Sequence, residues 1–356
     1  MDDSSKVDIG FLEEKPSWQL HPKFFPSKVG GKPAWLDKND IPSNLEACCR
    51  KCTDPLTFLC QIYAPFEDRD DAFHRTVFVF ICGNKACNKP NCSDNFMVFR
   101  CQLPRKNDVY SYEPYNDTVD EAFDMNKWPE LCNVCGLNAP SHCAKCKKMF
   151  YCCRKHQVND WHNEHKEICQ QILESSENKL NNFIVTQSGK SILFKEWEII
   201  IDQEDEEETS EVDVEKEMDV LHKMMEEKNA GTLGEISEDE LDQFVDHHCE
   251  DKVYEKFNKR ISKHPDQVIR YERGGSPLWI TKNVDFDISN IPKCPYCGGE
   301  RQFEFQIMPQ LLNFINVGVE VNSIDWGILA IFTCKQSCNE GLSYKQEYIL
   351  KQDIRN

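Results

Sequence analysis

The chain has 356 residues, 40% of them hydrophobic and 29% charged, which allows two or three domains with a sizeable core. No run of 18 apolar residues occurs, so a membrane-spanning helix is excluded; the polar, acidic start Met1-Asp2-Asp3-Ser4-Ser5-Lys6 is wrong for a secretory signal or transit peptide, and a cytoplasmic and nuclear location is expected. In that reducing setting the 20 cysteines do not form a disulfide framework; many are spaced C-x2-C or C-x3-C, and paired soft thiolates with tetrahedral demand make zinc the default ion.

Charge is concentrated in one place. Residues 202–246 hold 19 Asp/Glu against three lysines, so −16 of the net −19 sits there and the remainder of the chain is close to neutral.

Residues 7–45 interleave Pro16, Pro22, Pro26, Pro33 and Pro42 with Trp18, Phe24, Phe25 and Trp35, which predicts extended chain laid over a surface rather than helix. β-branched and aromatic runs predict strands at Phe58–Tyr63, Arg75–Cys82 and Asn95–Gln102. The last two flank the cysteine loop Cys82–Cys92, a zinc knuckle joining antiparallel strands. Residues 103–128 are polar and tyrosine-containing, as in a linker. A compact Cys/His block fills 132–169, helix is expected over 170–180, and Ile192–Ile201 is expected to return to the main sheet as a strand. Residues 202–232 are acidic and nearly free of large apolar side chains; such a segment cannot offset its chain entropy, and disorder is expected. Ser237–Lys263 predicts an amphipathic helix with Ser237 and Glu240 as a capping box. Strands resume at Phe303–Met308, Gly327–Cys334 and Tyr344–Lys351.

The two ends repeat one pattern. Gly30-Gly31-Lys32-Pro33-Ala34-Trp35 is followed by Cys49-x-x-Cys52, by Phe58 to Ile62, and by Phe80-Ile81-Cys82 with Cys87. Gly274-Gly275-Ser276-Pro277-Leu278-Trp279 is followed by Cys294-x-x-Cys297, by Phe303 to Ile307, and by Phe332-Thr333-Cys334 with Cys338. Trp35 to Cys49 is 14 residues and Trp279 to Cys294 is 15; Cys52 to Gln61 and Cys297 to Gln306 are both 9. The expected architecture is mainly β with some α. The two ends form a duplicated zinc-ribbon-like antiparallel β module, and a zinc finger and a disordered acidic segment are inserted between them. The expected bounds are 7–110 for the first module, 128–170 for the finger, 171–201 for helix and returning strand, 202–235 for the acidic segment and 236–356 for a helix and the second module. Each Trp in the GGxPxW phrase is expected to plug the core rather than to face a client.

Each module offers one metal site: Cys49, Cys52, Cys82 and Cys87 in the first, Cys294, Cys297, Cys334 and Cys338 in the second. The second set has no spare cysteine. In the first, Cys48 competes with Cys49 and Cys92 with Cys87, and the duplication favours Cys49 and Cys87. The central block gives eight further ligands, Cys132, Cys135, Cys143, Cys146, Cys152, His156, His165 and Cys169, enough for two tetrahedral sites. A unit of that size has little core, and each metal can supply on the order of 10 kcal/mol of folding free energy.

This block resembles the MYND zinc finger, on the Phe150-Tyr151-Cys152 step, the Gln157 and Trp161 pair and the terminal His165-x3-Cys169. The resemblance implies one zinc at Cys132, Cys135, Cys152 and His156, with His156 standing where many relatives have cysteine, and a second at Cys143, Cys146, His165 and Cys169. It also implies binding of proline-containing peptides by Gln157 and Trp161. The block carries six Lys/Arg against three acids, which would support only weak nucleic-acid contact, and direct nucleic-acid binding is not expected. No SET-type Asn-His-x-Cys motif accompanies the finger.

With the GGxPxW phrases, Gln61-Ile62-Tyr63-Ala64-Pro65, Phe73-His74-Arg75, the run Gln306 to Leu312 and Asp325-Trp326-Gly327, the whole chain outside the acidic stretch is similar to the programmed cell death protein 2 family. That resemblance implies a dedicated chaperone for the small-subunit ribosomal protein called S-five in the universal nomenclature, supporting small-subunit assembly and cell growth. The acidic segment would then suit the basic tails of such a client, although acidic loops also serve as solvated spacers. The alternative expectation is a nuclear adaptor whose finger recruits corepressor or chromatin complexes through proline-containing peptides. Asp246-His247-His248-Cys249 spells a palmitoyltransferase signature but lacks the membrane spans that enzyme needs. No phosphate loop, nucleophile elbow or carboxylate pair is present, and no enzyme activity is expected.

Overall fold

In the computed structural model, residues 6–113, 128–174, 192–204, 252–282, 290–315 and 323–353 are described. The first part of the chain gives β1 (Asp8–Glu13), β2 (Lys28–Val29), β3 (Thr57–Tyr63), β4 (His74–Ile81) and β5 (Phe96–Leu103). The central block gives a small hairpin of β6 (Ser141–His142) and β7 (Phe150–Tyr151), then α1 (Arg154–Asp160), a π-helical turn Trp161–His165 and α2 (Lys166–Glu174). Then follow β8 (Trp197–Gln203), α3 (Lys252–Lys263), β9 (Ile269–Tyr271), β10 (Arg301–Ile307), β11 (Ile328–Cys334), β12 (Lys345–Gln346) and β13 (Tyr348–Gln352).

Among the described residues, all strands but the small hairpin belong to one sheet of 11, in the order β12-β5-β4-β3-β2-β8-β1-β9-β10-β11-β13. β12 and β13 are two halves of one stretch broken at Glu347. The first half pairs with β5 and the second with β11, both antiparallel, so the two ends of the sheet meet and nearly close a barrel. The fold is mainly β with some α, as the sequence predicted, and the expected strand over 344–351 is divided by this seam.

The duplication is visible strand by strand. β2-β3-β4-β5 and β9-β10-β11-β13 are two antiparallel meanders, and both carry a register shift at the same place. It lies between Phe58 and Cys60 in β3 and between Phe303 and Phe305 in β10. One glutamine per copy clamps the chain between proline and tryptophan. Gln61 accepts from the Ala34 amide at 2.9 Å, and Gln306 accepts from the Leu278 amide at 2.6 Å. Between the meanders lie β8 and β1: β1 pairs with β9 of the second copy, β8 with β2 of the first, and the two pair with each other. The approach of β8 to the first GGxPxW phrase leaves no room for a side chain at Gly30, whose φ is 67° and where a Cβ would stand 2.0 Å from the Lys195 carbonyl oxygen.

All eight residues of β4 are buried, because both faces are covered. Val77, Val79 and Ile81 pack with Phe305, Ile307 and Ile331 of the second copy, while Phe78 and Phe80 pack with Trp35 and with residues of the central block. Trp35 is a core plug, as expected; Trp279 is only half-buried. Residues 103–113 depart from the linker expectation. Tyr110 is buried, its ring 4.6 Å from Phe25 and its hydroxyl donating to the Trp35 carbonyl at 3.3 Å. The returning strand begins at Trp197, not Ile192. The expected acidic segment is ordered at its start, where Asp202 and Gln203 end β8 and buried Glu204 pairs with Arg260 and Arg270 at 2.7 Å, because the two guanidinium groups compensate its charge; the rest of it, the palmitoyltransferase-like tetrad and the helix before Lys252 lie outside the described residues.

Buried ion pairs cross from one copy to the other. Arg75 of β4 and Glu304 of β10 form a bidentate pair, both fully buried, with one bond of 2.7 Å and with Thr333 also donating to Glu304. Arg100 of β5 donates to Glu347 at 2.8 Å, and Arg301 shares that carboxylate at 3.0 Å. Burial pushes the Glu304 carboxyl up, but the Arg75 and Arg273 guanidinium groups and Thr333 outweigh it and hold it at about 2. Glu304→Ala, which leaves Arg75 buried without its partner, is expected to cost about 3–5 kcal/mol in urea unfolding. The double variant Arg75→Met/Glu304→Leu is expected to cost less. Because the folded-state value is depressed, Glu304 contributes stability above pH 4.5 that is lost as pH falls from there toward 2.

Candidate metal centres

Each C-x2-C pair sits in the same turn. The residue after the second cysteine adopts positive φ, at Thr53 (60°), Gly136 (76°), Lys147 (57°) and Gly298 (71°). Its amide donates to the carbonyl of the first cysteine, as in Thr53 to Cys49 at 2.9 Å, Gly136 to Cys132 at 2.9 Å, Lys147 to Cys143 at 3.0 Å and Gly298 to Cys294 at 2.9 Å. The left-handed residue folds the chain back, so both sulfurs point to one side. Gly136 and Gly298 were visible signals for that conformation; Thr53 and Lys147 were not, and at those positions the turn overrides local preference.

Four tetrads result: Cys49, Cys52, Cys82 and Cys87; Cys132, Cys135, Cys152 and His156; Cys143, Cys146, His165 and Cys169; Cys294, Cys297, Cys334 and Cys338. Within each, all ligand atoms lie within 4.8 Å of one another. A tetrahedron with metal–sulfur bonds of about 2.3 Å has sulfurs about 3.8 Å apart. The observed separations are of that size: Cys52 to Cys82 3.6 Å, Cys135 to Cys152 3.6 Å, Cys143 to Cys169 3.9 Å, Cys294 to Cys338 3.6 Å and Cys297 to Cys334 3.6 Å. His156 turns Nδ1 into its tetrad, 3.6 Å from Cys132, and His165 turns Nε2, 3.6 Å from Cys146. The sixteen side chains that the sequence singled out therefore meet in fours, and the donor sets fit zinc. Of the competing cysteines, Cys92 stands instead beside Lys51 Nζ (3.2 Å) and Asp94 (3.3 Å), and Cys48 donates to the Leu45 carbonyl at 3.2 Å.

Electrostatics within a tetrad split the thiols. Burial pushes Cys143 up, but His165 and the amides of Cys146 and Lys145 outweigh it and bring it down to about 6; burial pushes Cys169, in the same site, up to about 11. Likewise Cys334 is lowered while Cys338 is raised. Acids at contact distance cannot all ionise, and a divalent cation removes the conflict.

The central finger is docked, not tethered. Trp35 Nε1 donates to the Gly136 carbonyl at 2.7 Å, the Asn138 amide donates to the Pro42 carbonyl at 3.1 Å, and Lys155 pairs with Asp54 at 2.6 Å. Lys32 of the first GGxPxW phrase is exposed but lies against Gly136 of the finger; desolvation of its amine lowers its pKa, opposed by Cys132, Cys135 and Asp160. Asp160, which the motif did not mark, accepts from the Tyr151 hydroxyl at 2.7 Å and from Asn133 at 3.1 Å, and links the two halves of the finger. Trp161 lines an open pocket of about 500 Å³ with Lys145, Lys166, Glu167, Gln170 and Gln171. Gln157 does not line it; its side chain accepts from Arg154 at 2.7 Å.

Closed Cys/His tetrads on a duplicated β scaffold define a metal-stapled zinc-finger protein. Family models match in three places: "Programmed cell death protein 2, N-terminal domain" at residues 6–117, "MYND finger" at 132–169 and "Programmed cell death protein 2, C-terminal putative domain" at 251–353. "Programmed cell death protein 2" of Bos taurus is 41% identical over 98% of this chain and 96% of its own length. "Programmed cell death protein 2-like" of Homo sapiens is 24% identical over 88% and 85%. "Probable 20S rRNA accumulation protein 4" of Schizosaccharomyces pombe is 23% identical over 93% and 92%. No solved structure matches. The chain belongs to the programmed cell death protein 2 family.

Cys87→Ser is expected to remove one equivalent of bound metal, measured by mass spectrometry of the purified protein. Cys92→Ser and Cys48→Ser are expected to leave the metal content unchanged; a loss with Cys92→Ser would reassign the first tetrad.

Proposed function

We propose that the chain is a non-enzymatic chaperone, held together by four zinc ions, that keeps a small-subunit ribosomal protein of the universal S-five family soluble in cytoplasm and nucleus until it is assembled. The ribosomal reading is carried by the end-to-end similarity to a fission-yeast protein whose name concerns the accumulation of 20S rRNA. The non-enzymatic reading is supported by the donor sets, since each tetrad presents four protein ligands and leaves no position for a substrate or an activated water. Ribosomal proteins are basic, and residues 205–246, with 17 Asp/Glu against three lysines, supply the opposite charge.

A second reading, a MYND adaptor for proline-containing peptides, is favoured by the pocket beside Trp161. Affinity purification of the full chain separates the two. One stoichiometric ribosomal protein, and four zinc ions by native mass spectrometry, are expected. Recovery of chromatin-modifying complexes without a ribosomal protein would overturn the chaperone reading, and Trp161→Ala is expected to leave ribosomal-protein binding intact. Deleting residues 205–232 is expected to weaken client binding and flatten its dependence on salt. Unchanged affinity and salt slope would make the acidic segment a spacer.

A further inference from the structure

The strand β8 is paired from Glu198 to its end on one side only. Its partner β1 follows it from Glu198 to Gln203. On the other side β2 pairs with Trp197 and Glu198, and one more bond, from the Ile199 amide to the Ser27 carbonyl at 2.8 Å, ends the ladder. The reason lies in the residues that would come next. Pro26 has no amide hydrogen, and Phe25 adopts φ 51° and turns away, its ring 4.3 Å from His74 and 5.2 Å from Tyr63. Strand alternation puts the amide and carbonyl of Ile201 on the same side as the Ile199 amide. Among the described residues no backbone hydrogen bond continues the ladder there. The next outward amide, of Gln203, is closed by the Asp202 carboxylate at 2.8 Å.

Apolar surface flanks this open edge on both faces. Ile200 is 39% exposed and Ile201 45%. The surrounding charge is acidic: Asp202 is exposed, and Glu13 stands opposite Glu198. The nearby lysines are engaged, Lys15 with Glu13 (3.0 Å), Lys6 with Gln203 (3.3 Å) and Lys195 with Glu14. Residues 205–246, which follow in the sequence, hold 17 Asp/Glu against three lysines. Like charge opposes pairing of this edge with a second copy of itself.

We propose that the open edge of β8 receives an extended basic segment of the client polypeptide, added as a further strand beside Ile199–Gln203. This rests on the chaperone reading for the identity of the partner. Main-chain bonds at Ile201 supply the register, Ile200 and Ile201 take alternate apolar side chains on the two faces, and the acidic surroundings select cationic sequences.

The test uses the zinc-loaded full chain and a fluorescent twelve-residue peptide of alternating Lys and Val, with a Glu/Val peptide as counterpart, read by anisotropy. The cationic peptide is expected to bind and the acidic one not. Ile201→Pro removes the outward amide together with the Ile201 side chain and no charge, and is expected to weaken binding at least about tenfold, whereas Ile201→Val, which keeps the amide and most of the apolar surface, is expected to bind nearly as well. In the unmodified chain, hydrogen exchange over Trp197–Gln203 is expected to slow when the peptide is added, a readout that does not depend on the variant. Equal binding by the variant with no protection of the strand, or equal binding of the acidic peptide, overturns the proposal. Self-association that Ile201→Pro abolishes would assign the edge to a second copy. A ribosomal protein that co-purifies undiminished with Ile201→Pro sinks the edge and leaves the chaperone reading standing. Edge-dependent peptide binding with no ribosomal protein recovered does the reverse.

Discussion

Sulfur atoms gathered at 3.6 Å set the terms for this molecule. Four cysteine or histidine side chains brought that close, and mostly buried, repel when ionised and strain their surroundings when not. The turns that gather them are short and, at Thr53 and Lys147, conformationally unfavourable. A cation at the centre of a tetrad would make such an arrangement favourable and would hold the loops, the small hairpin and the finger's helices around it. The apolar core of the sheet supplies the rest, but among the described residues the finger's own hydrophobic cluster is small.

The duplicated scaffold does not work as two independent beads. β1 belongs by sequence to the first copy and by pairing to the second, and β8, from the stretch between the copies, pairs with the first. Arg75 with Glu304 and Arg100 with Glu347 then bind the copies side chain to side chain in a fully buried setting. Buried pairs of this kind contribute modestly to net stability, but separating either one would strand an unmatched buried charge. The central finger is fixed to the same body through Trp35 and Lys32, which gives its surface a defined orientation relative to the sheet.

Much of this was legible because metal ligation leaves a rigid trace in sequence: a C-x2-C turn sets two sulfurs on one side at a fixed spacing, and paired turns of this kind close a tetrahedral site. The repeat of Trp35, Cys52 and Gln61 at Trp279, Cys297 and Gln306 fixed the relation of the two ends, and the matching bulges in β3 and β10 are its structural counterpart. The placement of β1 and β8 left no such trace. Pairing partners far apart in sequence are chosen by shape and register, and neither Asp8–Glu13 nor Trp197–Gln203 names its neighbour. The buried arginines were equally silent, since Arg75 in a strand reads as an exposed residue until Glu304 is placed opposite it. The site at Gln157 and Trp161 came from family resemblance, and the structure places only Trp161 at the pocket.

The seam of the barrel has a consequence for folding. Residues 345–352 join β5 to β11, so neither end of the sheet is satisfied until this one stretch is in place. Without it the outer backbone of β5 stands bare, however well the rest of the sheet has formed. A variant cut before residue 345 would carry every metal ligand and still present an unsatisfied border, open to pairing with other chains. Closure of the sheet thus hangs on a single stitch of eight residues.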